Sequence, residues 1–476
     1  NQIAWNPVTG ADYYNLYRFY QGVWSFVGST TSLSFTDVNT LPDTATTPPE
    51  ADVPFTGGNH PISVSFYQQR RVFGGAALQP TALFFTRSGN FSSFNASQPT
   101  RPDDPVTAVI AARENNAIRH LVPLRNLLAL TAGGAWSISA SNGVITPADV
   151  QVESQAYVGA SPVTPVSINY DVIYARERGA GITGLNYDWQ ANGFVARDIS
   201  ALASHLFVGR TVRDLAYASE PHKVMWVVRD DGRLLGLTYL REQEVLAWHQ
   251  HTTRGRFLSV AVIGEGREDV LYVAVRRPIG SGGAEVLTIE RMMPRPINEE
   301  APDVTRAWHV DCGLRYEGAP ATVISGLSHL NGQTVAILAD GNVVPPQVVT
   351  AGTITLPQPA SLVTVGLPFT ARLDTLPLDA AQQPLQGRMK RVSQLRVFTE
   401  NSRGLRVALT GNGAGVEMKD RSTEPWGAPV RLLTGSREVI MPPGWDLNGA
   451  LTITQEYPLP ATVLGVMPDL EVGQLG

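Results

Sequence analysis

KVMWVVRDDGRLLGLTYLREQEVLAWHQH (Lys223 to His251) and FLSVAVIGEGREDVLYVAVRRPIGSGGAEVLTIERMM (Phe257 to Met293) decide the fold class of this chain. The first segment sets two β-branched, aliphatic and aromatic strands around Asp231-Gly232, with a third running from Glu244 to His251. The second repeats the plan, with polar turns at Gly264–Glu268 and Gly280–Gly283. An Asp-Gly pair between two such runs favours a tight hairpin, because both central turn residues must adopt positive φ. Hairpins in succession at this spacing predict four-stranded antiparallel sheets, the blades of a β-propeller.

Upstream, ISVSFYQQ, RRVFGGAA and ALFFTRSG (Ile62 to Gly89) read as three strands, followed by the long polar loop Asn90 to Pro105. Strands also fit AVIAARE, AWSISA and Val150 to Asn192. The apolar run Leu121 to Leu130 is read as strand, because Pro123 lies inside it and Gly133-Gly134 follows. One helix is predicted: Asp198 caps ISALASHLF, with Ile199, Leu202, Ala203, Leu206 and Phe207 on one face and His205 turned to solvent. About five blade-like units result between residues 61 and 293.

The remaining segments flank this centre. Residues 1–41 carry a Trp5 strand, a Gly-Ala-Asp-x-Tyr turn at Gly10, a Tyr14-x-x-Tyr17 strand and a closing Phe35-Thr36-Asp37 strand. They resemble the second half of a fibronectin type III sandwich. Residues 42–60 and 294–309 are rich in Pro, Thr and Asp or Glu and read as linkers. Residues 310–380 form a small β-sandwich with a hairpin at Asp340-Gly341 and Pro345-Pro346 on an edge or loop, then a polar, flexible stretch runs from Ala380 to Arg388. A C-terminal β domain, 388–476, closes with a Pro-spaced tail. The expected class is all-β: an irregular β-propeller-like central domain with flanking β-sandwich domains. Asn1 to Trp5 reads as the middle of a strand, without Met or a signal pattern, so residues of a longer protein are expected before it.

Composition bounds the function. Hydrophobic residues make up 43% and charged residues 17%, which suits a folded chain with a core. The net charge of −5 leaves no basic surplus for reading nucleic acid. No apolar run reaches membrane-spanning length. The single cysteine, Cys312, excludes an internal disulfide and reads as a small buried residue.

The chemistry-bearing patterns all have plain readings. Gly326-Leu327-Ser328-His329-Leu330 lacks the second Gly and the helix of a nucleophile elbow. His249-x-His251 puts two imidazoles on one strand face, with His222 or His309 as a conceivable third zinc ligand, but reads as two strand histidines. Asp230-Asp231-Gly232 is a turn and not a calcium loop. Glu242 and Glu244, beside Arg241, read as solvated charges sharing a strand face, and Gly264-Glu265-Gly266 lacks a third Gly. Arg388-Met389-Lys390-Arg391 reads as a solvated strand end. The Asn90 and Asn95 sequons are uninformative in a bacterial host. No catalytic, cofactor-binding or metal residue is assigned, and the expectation is a non-enzyme.

Several phrases resemble the tail nozzle proteins of short-tailed bacteriophages, also called tubular tail protein B. They are SFYQQRRVFGG with LFFTRSGNFSSF (Ser65 to Phe94), ASHLF with VRDLAYA (Ala203 to Ala218), Val224 to His251, LSHLNGQTVAILADG (Leu327 to Gly341) and VGLPFTARLDTLPL (Val365 to Leu378). The match runs from about Ser63 to the C-terminus, and the fibronectin-like start is a decoration outside it. The resemblance implies a structural virion protein: a homohexameric ring below the portal and adaptor that retains and conducts the genome. It implies contacts with tail fibres or spikes, double-stranded DNA passing through the lumen without sequence-specific binding, no stable membrane insertion, and assembly in the bacterial host cytoplasm. The alternatives are a propeller-type receptor- or glycan-binding tail protein, whose nine Trp do not recur at one blade position, and a propeller glycosidase.

Overall fold

The computed structural model describes residues 1–50, 53–112, 116–178, 181–294, 302–379, 385–411, 415–419, 424–425 and 427–473. Parts of the expected linkers 42–60 and 294–309 and of the flexible stretch 380–388 lie outside the described residues. The chain is all-β, with a propeller-like centre and sandwich-type sheets before and after it in sequence. It divides into two compact units: Asn1–Tyr217, Lys223–Asp230 and Gly236–His249 form the first, and Ala218–His222, Asp231–Leu235 and Gln250–Gly476 the second.

The first unit is dominated by antiparallel four-stranded meanders. The first meander joins Val106–Val109, Gln79–Phe85, Arg70–Ala76 and Ser63–Tyr67 in that spatial order. The second joins Ile118–Pro123, Leu127–Thr131, Ala135–Ser139 and Gln151–Ala156. The third joins Val166–Ile168, Asp171–Ala175, Ile182–Asp188 and Gly193–Asp198, and the fourth, most of which lies in this unit, joins Val212–Ala218, Val224–Arg229, Leu234–Leu240 and Val245–His251.

The strand period explains how these sheets stack. Leu127–Thr131 is buried throughout, and its side chains alternate between two cores. Leu127 and Ala129 join Val72, Leu83 and Phe85 of the first meander. Leu128 and Leu130 join Val172, Tyr174 and Leu185 of the third. A sheet covered on both faces is what a propeller blade requires, and it accounts for the unbroken apolar run that could pass for a helix. Polar links add to the packing. Gln68 Nε2 donates to Gly143 O at 2.7 Å and its Oε1 accepts from Ile145 N at 2.8 Å. Asp171 receives Tyr239 Oη at 2.8 Å and Arg241 Nη1 at 2.6 Å, and Trp248 Nε1 donates to Ile199 O at 2.9 Å.

Three expectations for this unit need correction. The predicted helix is a short 3-10 segment, Ala201–Leu206, and Asp198 bonds Ser200 and does not cap it. At three residues per turn only Ala203 and Leu206 share the inward side, so Leu202 is 99% exposed. Described parts of the 42–60 segment are structured: Thr47–Glu50 pairs with Ala96–Gln98, and Phe55 stacks edge-on against Phe73, Phe84 and Phe94 at 5.0–5.5 Å. Each such aromatic pair adds about 0.5–1.5 kcal/mol beyond burial. Loop 90–105 is likewise knitted to the first meander, with buried Asp104 accepting from Ser97 and Arg101. At the start of the chain, Gln2–Ala4 pairs with Ser34–Thr36 and Tyr14–Tyr20 with Val23–Thr30.

The second unit opens with a three-stranded meander, Arg256–Glu265, Glu268–Arg277 and Val286–Arg291. Its first turn is tighter than expected, confined to Gly266-Arg267. A four-stranded sheet follows, ordered Asp311–Ile324, Ile354–Leu367, Thr334–Ala339 and Asn342–Val348, around a core including Leu327, Leu330, Ile337 and Val365. Asp340 and Gly341 make its hairpin with φ of 44° and 76°, and Pro345-Pro346 lies on the edge strand. Ala371–Asp374, expected with this segment, instead pairs with Leu451–Gln455. That strand belongs to one of two C-terminal sheets, whose partner joins Leu433–Ile440, Lys390–Ser402 and Thr462–Val472. Val392, Leu395 and Val397 of one sheet meet Val407, Leu451 and Ile453 of the other in a shared core. The Pro-spaced tail is thus a long edge strand that accommodates Pro468. Residues 302–309 also leave the linker class, since Val304 and Ala307 are buried with Leu338 and Leu459.

Candidate functional site

A cavity of about 1390 Å³ lies along the second and third meanders. Much of the lining is backbone and small side chains from Thr131–Gly134, Ala156 and Gly159, with Tyr157 projecting beside them. Close approach makes it so: a Cβ on Gly134 would collide with Ala156 O, and one on Gly159 with Ala132 O. The connection after the second meander runs in this crevice. Ala160 N donates to Thr131 O at 2.9 Å, Ser161 N to Ala175 O at 2.8 Å, and Glu177 N to Gly159 O at 2.9 Å.

The rest of the lining is charged. Arg176, Glu177, Arg178, Arg197 and Asp198 belong to it. Arg119 holds Glu177 in a two-pronged pair, Nη1 to Oε2 at 2.5 Å and Nη2 to Oε1 at 2.7 Å, which links the second meander to the third. Arg176 Nη2 meets Asp198 Oδ2 at 2.6 Å while its Nε donates to Thr183 Oγ1 at 2.8 Å. Burial pushes the Asp198 carboxyl up, but Ser200 and Arg176 outweigh it and hold the group below its ordinary value. Burial lowers nearby His120, whose Nε2 lies 2.9 Å from Ser161 O. Tyr174, donating to Val158 O at 2.9 Å, is pushed up to about 12 by burial. A carboxyl held low does not serve as a general acid near neutral pH. The lining is therefore suited to binding through fixed charge.

None of the sequence motifs contributes to this cavity. Ser328–Leu330 is a 3-10 turn whose flanking Leu327 and Leu330 enter the core, while exposed His329 lies 3.2 Å from Cys312 O. His249 packs edge-on against Trp226 at 5.9 Å and fills the space left by Gly236. Among the described residues no three His, Cys, Asp or Glu side chains gather as a metal site. Glu242 and Glu244 do not share a strand face. The strand ends at Leu240, Glu242 sits in the turn Arg241–Gln243, and Glu244 has φ 56°. Asp230-Asp231-Gly232 is a turn, with Gly232 at φ 83°. Glu265, in place of a phosphate loop, pairs with Arg291 at 2.7 Å. Lys390 departs from a solvated strand end: it is 3% exposed and its Nζ donates to Leu447 O at 2.9 Å. Cys312 is half-buried with φ 49°, and burial, then Glu290, pushes its thiol up to about 12.

The cavity residues span 111–198 in scattered pairs, so spacing alone did not reveal them. The available signals were Gly133-Gly134 beside a strand and the Arg176-Glu177-Arg178 run.

No protein-family model matches the chain, and no curated protein matches it. Solved structures give distant likenesses. A luciferin-regenerating enzyme is 12% identical over 52% of this chain and 96% of its own, with a TM-score of 0.23. A protein from Lactobacillus plantarum is 12% identical over 58% and 77%, at 0.30, and YCF48 bound to D1 peptide is 10% identical over 65% and 94%, at 0.29. These scores are too low to carry any argument, and the fold rests on this chain's own strand pairing.

Proposed function

We propose that the chain is a structural subunit of a bacteriophage tail, a nozzle or tube protein and not an enzyme. In this reading six copies form a ring below the portal and adaptor, in a particle assembled in the host cytoplasm. The ring meets fibres or spikes at its outside and retains, then conducts, the double-stranded genome. The observation that carries the reading is the run of phrases shared in wording with nozzle proteins. They fall on the first meander, the fourth meander and the sheet around Thr334–Ala339. Two physical features support it. Strands joined by short turns and crossed by side-chain bonds give a stiff wall. A net charge of −5 avoids strong phosphate binding, which suits DNA that must slide. Among the described residues no helix is long and apolar enough to cross a membrane. Native mass spectrometry of the purified chain tests the reading: six-copy species are expected, and single copies at every concentration contradict it.

A further inference from the structure

We propose that the cavity along the second and third meanders binds an acidic oligosaccharide, a sugar chain carrying occasional carboxylates. The proposal goes beyond the structural role above, which does not require it. Size comes first: about 1390 Å³ exceeds the roughly 300–1,000 Å³ of ordinary small-molecule sites, so an extended ligand of several rings fits.

Charge comes second. The lining sets Arg176, Arg178 and Arg197 against Glu177 and Asp198, a positive excess within a negative chain. Arg176 is committed to Asp198 at 2.6 Å, and Glu177 to Arg119. Arg178 is exposed, and the Arg197 side chain is 66% exposed, its nearest carboxylate being Asp188 at 4.0 Å. These two guanidinium groups can each take a ligand carboxylate in a forked contact.

The rest of the lining selects a sugar. Tyr157, 90% exposed, presents a ring against which a pyranose can lie. The exposed Ser154 hydroxyl and the lone pairs of Glu177 and Asp198 accept from sugar hydroxyls. A nucleic acid would bring a phosphate at every residue, more charges than the two uncommitted arginines among the described lining residues can pair. A lipid tail would find alanine and glycine where it needs broad aliphatic surface.

Calorimetric titration of the whole chain tests this with hyaluronan tetrasaccharide and unsulfated chondroitin tetrasaccharide, which carry a carboxylate on alternate rings, as probes. Neutral chitotetraose and a four-residue oligothymidylate are the comparisons. At least one acidic probe is expected to bind with one site per chain, at least about 10-fold tighter than chitotetraose. The Arg178→Ala/Arg197→Ala pair, and Tyr157→Ala separately, should each weaken it about 10-fold or more. Because those side chains are exposed, circular dichroism and the unfolding midpoint should not change. Failure of both acidic probes at millimolar concentration overturns the proposal. So does equal binding of the neutral sugar, tighter binding of oligothymidylate, or unchanged affinity in both variants.

Discussion

Arg277 is the largest fully buried side chain among the described residues, at 1% exposure, and its guanidinium is fully engaged in polar contacts. Its Nε and Nη2 clasp Glu290 at 2.5 and 2.6 Å, and its Nη1 donates to Thr253 Oγ1 at 2.6 Å and to Arg254 O at 3.0 Å. Thr253 in turn donates to Asp311 at 2.5 Å. Arg277→Met leaves Glu290 charged without its cation, and denaturant unfolding should show a loss of about 3–5 kcal/mol. The Arg277→Met/Glu290→Met pair should recover part of that loss, because both ends of the buried pair are then gone. Equal destabilisation in the two variants would show that the ion pair is not the reason. The same cluster predicts a pH effect. Burial acts to raise Glu290, but Arg277 and Thr288 outweigh it, leaving the group below 4.5 in the folded chain. Its contribution is therefore complete above 4.5 and is lost as pH falls through the lower folded value. Asp311 runs the other way: burial raises it, so its effect favours the folded state below 3.8 and fades as pH rises through the raised value. Unfolding midpoints from pH 7 to pH 3 should fall less steeply in Glu290→Gln than in the parent chain, and parallel curves would refute the assignment.

Turns and strand edges show how far local sequence specifies local structure. Asp340-Gly341 needs left-handed backbone at both positions, and a Cβ on Gly341 would stand 2.9 Å from Pro429 Cβ and 3.0 Å from Val304 Cγ1. Gly341→Ala should cost about 1–3 kcal/mol by chemical denaturation. A neutral result would mean that the hairpin relaxes freely. Between meanders, Tyr239→Phe removes one donor from Asp171, which is 4% exposed, and should cost about 1–3 kcal/mol in the same assay. Such hairpins were legible because their turn chemistry is local, and the Leu121–Leu130 strands because Pro123 and the glycine pair interrupt a helix. Features set by distant partners were not. Thr47–Glu50 becomes a strand only because Ala96–Gln98 accepts it, and Phe55 becomes core only because three phenylalanines surround it. The 201–206 segment has helical spacing, but its burial follows a three-residue repeat that apolar spacing alone could not separate from a helical one.

At the scale of the whole molecule, successive meanders were readable from the rhythm of apolar strands and turns, whereas the cavity was not. Its walls come from loops brought together by stacking, with glycines 134 and 159 spaced for backbone contact and arginines 119 and 176 paired across folded distance. The proposed tail role rests on sequence wording and on a stiff all-strand build, so assembly is where it is most exposed to test. Cryo-electron microscopy of the purified full chain addresses it most directly. The account predicts closed sixfold rings or short tubes with an axial channel wide enough for duplex DNA. A population of single chains, or rings of another symmetry without an open channel, would contradict it.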